Sequence, residues 1–304
     1  MTLVSSTPML KEARKSGYGI VAFNIHSFDM LYSVAEAAAE LDAPVIIQTT
    51  VGTVQNLGPD SIVKTARAAA EKFHVPMALH LDHCTDLDVI IQCIRAGYTS
   101  VMIDASMHPF EENIRLTNQV MDIAKYIDVN VEAELGKVGG VEDNIVVSDK
   151  DAEKAVPAEC KEFIERTSVP TLAPPAIGTA HGIYSGDPDI DFDRIAEIAS
   201  LVDEPLVLHG GSAIPEDDVK QCIALGMAKM NVSTELKNAY SEAIKEHFLE
   251  APDSLDPRKY LAKAKDVAKE LAKSKMILVG CAGKAPEIKE KVYSNPYIVD
   301  SLRG

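Results

Sequence analysis

Along almost its whole length the chain alternates between short β-branched runs and longer stretches whose apolar residues recur at spacings of three and four. That alternation constrains the fold more than any other feature of the sequence. Eight runs read as strands: Gly19 to Phe23, Pro44 to Thr49, Pro76 to Leu81, Thr99 to Ile103, Val129 to Glu134, Val169 to Pro174, Pro205 to Leu208 and Ala228 to Val232. Between them the helical spacing runs through segments such as Ser27 to Leu41, Pro59 to Phe73, Asp86 to Ala96, Glu111 to Tyr126 and Asp217 to Leu225. Eight strand–helix units with no long linker or low-complexity tract predict a single α/β domain, a parallel (β/α)8 TIM barrel. An open doubly wound sheet calls for a glycine fingerprint after its first strand, and Val21-Ala22-Phe23-Asn24-Ile25 has none. After the eighth strand, Glu235 to Phe248, Asp256 to Ser274 and Ala285 to Val292 read as further helices. The barrel is expected over residues 1–250 and a C-terminal helical extension over 251–304, a tail of the kind that packs on a neighbouring subunit.

Composition narrows the function classes. A chain of 304 residues that is 46% hydrophobic is expected to be a soluble globular protein with a large aliphatic core. Its formal net charge of −16 argues against nucleic acid or an anionic membrane as partner, because both would be repelled over the whole surface. An anionic substrate therefore needs a local pocket of donors. Five cysteines without a CxxC pair make a disulfide framework improbable and point to the reducing cytoplasm. No signal-like start and no run of about 18 apolar residues occurs.

A barrel of this kind is expected to fill its interior with apolar side chains and to carry its chemistry at the C-terminal strand ends. Those ends read Asn24, Thr50, Asp82 with His83, Asp104, Glu134, then His181 in the loop after strand six, His209 and Asn231. One Asn or Thr at such a place is ordinarily a cap or turn residue, but here nearly every strand ends polar. His83, His181 and His209 together have the composition of a catalytic zinc site, three protein ligands with a fourth position open. No HExxH or HxH motif occurs, so that reading rests on predicted positions alone. His80 shares a strand face with Asp82 and suits a supporting role, whereas His26, His74, His108 and His247 have no common location. Asp82 is either a turn residue or a carboxylate that moves a proton beside the metal. Asp104 and Glu134 are either supports of the ligands or alternative ligands themselves.

Three glycine-rich stretches follow strands six, seven and eight: Gly178-Thr179-Ala180-His181-Gly182, His209-Gly210-Gly211-Ser212 and Asn231-Val232-Ser233-Thr234. Glycine after a strand is usually only a turn, yet this corner is where barrels bind phosphate through backbone N–H groups and a helix N-terminus.

Taken together these segments resemble the class II, metal-dependent ketose-bisphosphate aldolases, a family that includes fructose- and tagatose-bisphosphate aldolases. The matching motifs are Ala22-Phe23-Asn24, Leu79-His80-Leu81-Asp82-His83, Val131-Glu132-Ala133-Glu134-Leu135-Gly136 with Gly139-Gly140-Val141-Glu142-Asp143, Ile177 through Gly182, Val207 through Ser212, Asn231 through Glu235, and Asp256-Pro257-Arg258-Lys259-Tyr260. They run in family order over nearly the whole chain. The resemblance implies zinc on His83, His181 and His209, with Asp82 taking the C4 hydroxyl proton during cleavage. It places Glu142, in a mobile loop after strand five, at the proton of the ketone fragment. It implies that zinc polarises the C2 carbonyl and stabilises the enediolate left when C3–C4 breaks. Asn24 and Asn231 would touch the dihydroxyacetone phosphate part, and its phosphate would lie on Gly182, Gly210, Gly211, Ser212, Ser233 and Thr234, with Thr50 near the same end. A sodium or potassium ion would bind backbone oxygens around Ala180, Gly182 and Gly210. Arg258 would reach from a partner subunit to the far phosphate, implying a homodimer or homotetramer.

Two departures bear on the sugar. Ser233 stands where fructose-type members often carry Asp, so Asn231-Val232-Ser233-Thr234-Glu235 is closer to the tagatose-type pattern, and Gly211 stands where Ala is common. Other members of the family act on related phosphorylated ketoses or keto acids, and some tagatose-type members require a noncatalytic helper subunit. Three other readings compete. A Schiff-base aldolase needs a lysine at the tip of a late strand, but Lys229 lies inside strand eight and strand six has none. A metal-dependent hydrolase wants HxH on strand one, where Phe23 and Asn24 stand. A non-catalytic sugar-phosphate sensor or partner subunit has no use for Asp82 beside three histidines.

Overall fold

The computed structural model describes residues 3–136, 139–142, 145–147, 155–174, 180–181 and 190–293. Each of the eight predicted runs forms a strand: β1 (Ile20–Asn24), β2 (Val45–Thr49), β3 (Met77–Cys84), β4 (Ser100–Ile103), β5 (Asn130–Glu134), β6 (Thr171–Ala173), β7 (Leu206–Leu208) and β8 (Met227–Val232). Every strand pairs in parallel with its neighbours in the chain, and β1 closes the ring on β8 through Ile20 opposite Lys229 and Ala22 opposite Asn231. The fold is a (β/α)8 barrel. Sequential parallel pairing throughout requires a crossover after each strand, and the amphipathic stretches supply it.

The outer ring comprises α2 (Phe28–Glu40), α3 (Val51–Leu57), α4 (Pro59–Phe73), α5 (Leu87–Ala96), α6 (Phe110–Ala124), α7 (Pro157–Thr167), α8 (Phe192–Leu201), α9 (Glu216–Ala224) and α10 (Thr234–Glu250). Their starts follow capping chemistry: Ser27 accepts from the Met30 N–H at 3.3 Å to open α2, and Asp86 accepts from Asp88 at 2.8 Å to open α5. A helix not read from the sequence, α1 (Ser6–Ser16), precedes β1. It reaches into the N-terminal mouth of the barrel, where Ser6 donates to Ser100 at 3.0 Å and Thr7 to Asn130 at 2.8 Å.

Of the three helices expected after β8, α10 completes the eighth unit, and α11 (Pro257–Leu278) and α12 (Ala285–Tyr293) are additions. One face of α11 packs on its own barrel, against α2, α10 and β1. Its inner face is Ala264, Ala268, Ala272 and Met276, a stripe of four-residue spacing whose small side chains allow close approach. The backbone is tied down as well, with the Gly19 N–H donating to Val279 at 2.8 Å and the Ala285 N–H to Asp42 at 2.7 Å.

The interior departs from the apolar filling expected above. His80, Ser100, Asn130, Glu132, Thr171 and Lys229 are all buried on the strands, at most 1% exposed. Thr171 and Thr7 both donate to Asn130 Oδ1, Asn130 donates to Ser100 at 3.1 Å, and Ser100 meets His80 Nδ1 at 2.6 Å. Polar residues thus continue down the axis at the strand period of two, each bonded to at least one neighbour. Among the described residues no helix is long and apolar enough to cross a membrane, and the five cysteines are buried free thiols.

Candidate active site

Three strand ends converge on one buried cluster. His83, Glu134 and His209 each offer a ligand atom within 4.8 Å of the others. The His83 and His209 rings stand edge to face, their centroids 4.7 Å apart. His83 is delivered by a disruption of β3: the pairing with β4 slips between Leu81 and Cys84, and His83 adopts φ 41°. A left-handed conformation at a residue other than glycine costs on the order of 1–3 kcal/mol and is retained where the surroundings dictate it. Here the slip turns Asp82 and His83, neighbours in sequence, toward the same end of the barrel.

Each imidazole is backed by its own carboxylate. His83 Nδ1 lies 2.8 Å from Asp104 Oδ2, and Asp104 is held in turn by the Ser106 N–H at 3.2 Å and hydroxyl at 2.7 Å. His209 uses its other nitrogen: Nε2 lies 3.1 Å from Glu132 Oε1, and Nδ1 lies 3.5 Å from Glu134 Oε2. Glu132 receives Lys229 Nζ at 2.8 Å on its second oxygen. An imidazole that donates from one nitrogen presents a lone pair from the other, so His83 faces the cluster with Nε2 and His209 with Nδ1.

Burial governs the charge states. Burial would raise the Asp104 carboxyl, but the hydrogen bonds and charge of His83 and Ser106 outweigh it and hold Asp104 well below the usual carboxylate range. Glu132 is likewise opposed by burial and brought below its ordinary value by Lys229. Burial, reinforced by His83, pushes His209 well below the ordinary imidazole range, and burial with Lys229 does the same to His80. Two imidazoles and a carboxylate in one buried cluster, each imidazole oriented by an anion, suit a zinc ion.

Beside the cluster, Asp82 is fully buried and accepts from three amides: Asn24 Nδ2 at 2.8 Å, Gln48 Nε2 at 3.2 Å and Asn231 Nδ2 at 3.4 Å. Three separate strands, β1, β2 and β8, therefore fix one carboxylate. Gln48 was not singled out in the sequence; the signal was an amide inside the otherwise β-branched run Val45-Ile46-Ile47-Gln48-Thr49. Glu132 was missed for a related reason, since it sits one strand period below Glu134 where apolar filling was expected. Lys229 is confined to the barrel interior by Glu132, away from the strand tip where a Schiff-base lysine belongs.

The glycine corner also assembles. Gly210 takes φ 68° and a short 3-10 turn follows over Gly211–Ala213. A Cβ on Gly211 would stand 2.7 Å from both the Asn231 carbonyl oxygen and Met230 Cγ, so the β7 loop lies closer to β8 here than an alanine would allow without a shift. Ser212 Oγ accepts from the N–H groups of Ser233 at 3.3 Å and Glu235 at 3.4 Å, joining the loop to the N-terminal end of α10, where Thr234 is the first residue. Its hydroxyl proton remains available to an anion. Thr50 has a local function as the N-cap of α3, its Oγ1 accepting from the Thr53 N–H. Arg258 is exposed at the start of α11 and pairs with Asp256 at 2.9 Å.

Glu142 and His181 share a small sheet separate from the barrel's, although their side chains lie outside the described residues, as does the whole of Gly182. Gly139–Glu142 pairs antiparallel with Ile145–Val147 and parallel with Ala180–His181, placing Gly140 opposite His181.

The sequence and architecture match a known family. The family model for class II fructose-bisphosphate aldolases matches residues 4–284. The chain belongs to that family. This class II aldolase is a carbon–carbon lyase and is similar to the YdjI aldolase of Escherichia coli K12, with 34% identity over 93% of this chain and 100% of that one and a TM-score of 0.83. A fructose-bisphosphate aldolase from Campylobacter jejuni shares the fold at a TM-score of 0.81, with 23% identity over 93% of the aldolase and 97% of that chain.

Proposed function

We propose that this aldolase uses zinc to cleave a ketose 1,6-bisphosphate reversibly into dihydroxyacetone phosphate and glyceraldehyde 3-phosphate. The observation that carries the reading is the buried cluster of His83, Glu134 and His209 next to a carboxylate, Asp82, clamped by three amides. His83, His209 and His181 would hold the metal, with Glu134 as an alternative ligand. Bound there, zinc supplies Lewis-acid polarisation of the C2 carbonyl.

The chain's own groups then divide the remaining work. Asp82 takes the proton of the C4 hydroxyl as the C3–C4 bond breaks, and returns it in the condensation direction. Asn24, Gln48 and Asn231 keep its oxygens aimed while it does so. Glu142 is assigned the proton at C3 of the ketone fragment. Ser212, Ser233, Thr234 and the backbone N–H groups of Gly210, Gly211 and Gly182 form the phosphate corner at the start of α10, where the helix dipole favours an anion despite the protein's negative charge. Asp104 keeps His83 in the tautomer that ligates. Arg258 is assigned to the distal phosphate of a partner subunit's substrate in a homodimer or homotetramer.

The sugar is tagatose 1,6-bisphosphate in preference to fructose 1,6-bisphosphate, on the strength of Ser233 in Asn231 through Glu235. The test compares both bisphosphates with and without a chelator. Tagatose bisphosphate is expected to be cleaved faster, with activity lost on chelation and restored by zinc. Cleavage that survives thorough chelation overturns the metal role, and failure on both sugars by zinc-loaded protein overturns the substrate.

A further inference from the structure

Directly beneath the metal cluster, the barrel holds a fully formed ion pair. Glu132 is 0% exposed and Lys229 1%, and their charged atoms are 2.8 Å apart. A buried ion pair is poor as a stabilising device, since apolar side chains of similar volume commonly do as well or better. Its placement is more informative. Glu132 divides its oxygens between two partners, Oε2 to Lys229 and Oε1 to His209 Nε2 at 3.1 Å. Strands β5, β7 and β8 thus meet through one carboxylate. Lys229 fixes where Glu132 stands, and its charge offsets the carboxylate's. His80 closes the third side, with Nε2 3.9 Å from Glu132 Oε2 and Nδ1 on Ser100. Ser100 in turn ties His80 to Asn130, Thr171 and Thr7 at the barrel floor, so the ring beside Glu132 is fixed from below.

We infer that Glu132, anchored by Lys229, is a positioning residue that sets the tautomer and ring orientation of His209, and that the interior ion pair exists for this purpose. The inference rests on the zinc reading above. It follows from geometry: with the Nε2 proton held by Glu132, Nδ1 carries the lone pair and faces Glu134 at 3.5 Å. Asp104 performs the matching task for His83 from the opposite nitrogen, but is held by Ser106 and not by a cation.

The test measures zinc affinity by chelator competition and ligand geometry by the visible spectrum of the cobalt-substituted protein. Removing both charges together avoids stranding either one. Glu132→Ala with Lys229→Met is expected to weaken zinc binding about 10- to 100-fold and to alter the cobalt spectrum. Glu132→Gln with Lys229→Met keeps a carbonyl oxygen for His209 and is expected to recover most of the affinity and the native spectrum. If the alanine pair does not fold, Glu132→Asp, which keeps the charge near Lys229 but is one methylene short of His209, carries the same expectation of weaker binding. Wild-type affinity in the alanine pair or in Glu132→Asp overturns the positioning role, as does an equal loss in the alanine and glutamine pairs. Wild-type protein that binds no zinc in the same titration overturns the metal reading, and this inference with it.

Discussion

At the scale of single residues, the site is built from side chains that hold one another. Asp82 is the clearest case, a buried carboxylate with three amide donors from three strands. Asp82→Asn keeps one oxygen for Asn24 and Gln48, and an amide flip of Asn231 turns its Oδ1 to the new NH2, so the variant should fold and bind metal normally. Turnover should fall by about 10²-fold or more, the scale of a lost general base. The check is kcat beside metal content; unchanged turnover contradicts the assignment. The strand-end residues were legible because a polar residue closing an apolar run stands out against it. Gln48, Glu132 and Lys229 were not, for they lie inside their strands, and only their partners across the barrel explain why burying them is tolerable. The bend at His83 was equally hidden: a slip in register with a left-handed histidine leaves no mark in composition or periodicity.

Among elements, the eight strands were the most legible part, since a fully buried parallel strand is a short β-branched run wherever it occurs. Helices with well-marked caps were also readable, whereas α3 is capped by Thr50 directly after β2 and so shows no separate start. Why the tail folds back became clear only from its packing. Its lysines form a ladder against α2, with Lys265 3.4 Å from Asp29, Lys269 3.0 Å and Lys273 2.9 Å from Glu40, while Lys263 meets Glu246 of α10 at 2.8 Å. Such exposed pairs contribute little each, and the alanine stripe beneath them does more. Ala268 is fully buried where α11 lies on the barrel, so Ala268→Leu should overpack the contact and destabilise by about 1–3 kcal/mol. A lowered thermal midpoint is the expected reading, and an unchanged one would mean that α11 is not closely seated.

For the molecule as a whole, the buried thiols give a pH dependence. Burial pushes Cys84 up to about 11 and Cys93, Cys160, Cys222 and Cys281 up to about 12. In an unfolded chain the same groups ionise near 8.5. Above that pH the unfolded chain releases protons that the native protein keeps, so stability is fully present below about 8.5 and declines as pH rises toward the native values. Thermal midpoints should therefore fall between pH 8.5 and 10.5, and the thiols should resist Ellman's reagent until the protein unfolds. A flat profile, or prompt reaction at neutral pH, contradicts this. The ring itself imposes an order on assembly. Strands β1 and β8 are the first and last made, so their pairing spans the greatest chain separation in the barrel and is the contact that chain entropy delays most. The helix lying over that junction, α11, is synthesised later still. Until the ribosome has passed it, the growing chain has a seam with nothing fastened across it, and Asn24 and Asn231, which both hold Asp82, stand on its two sides.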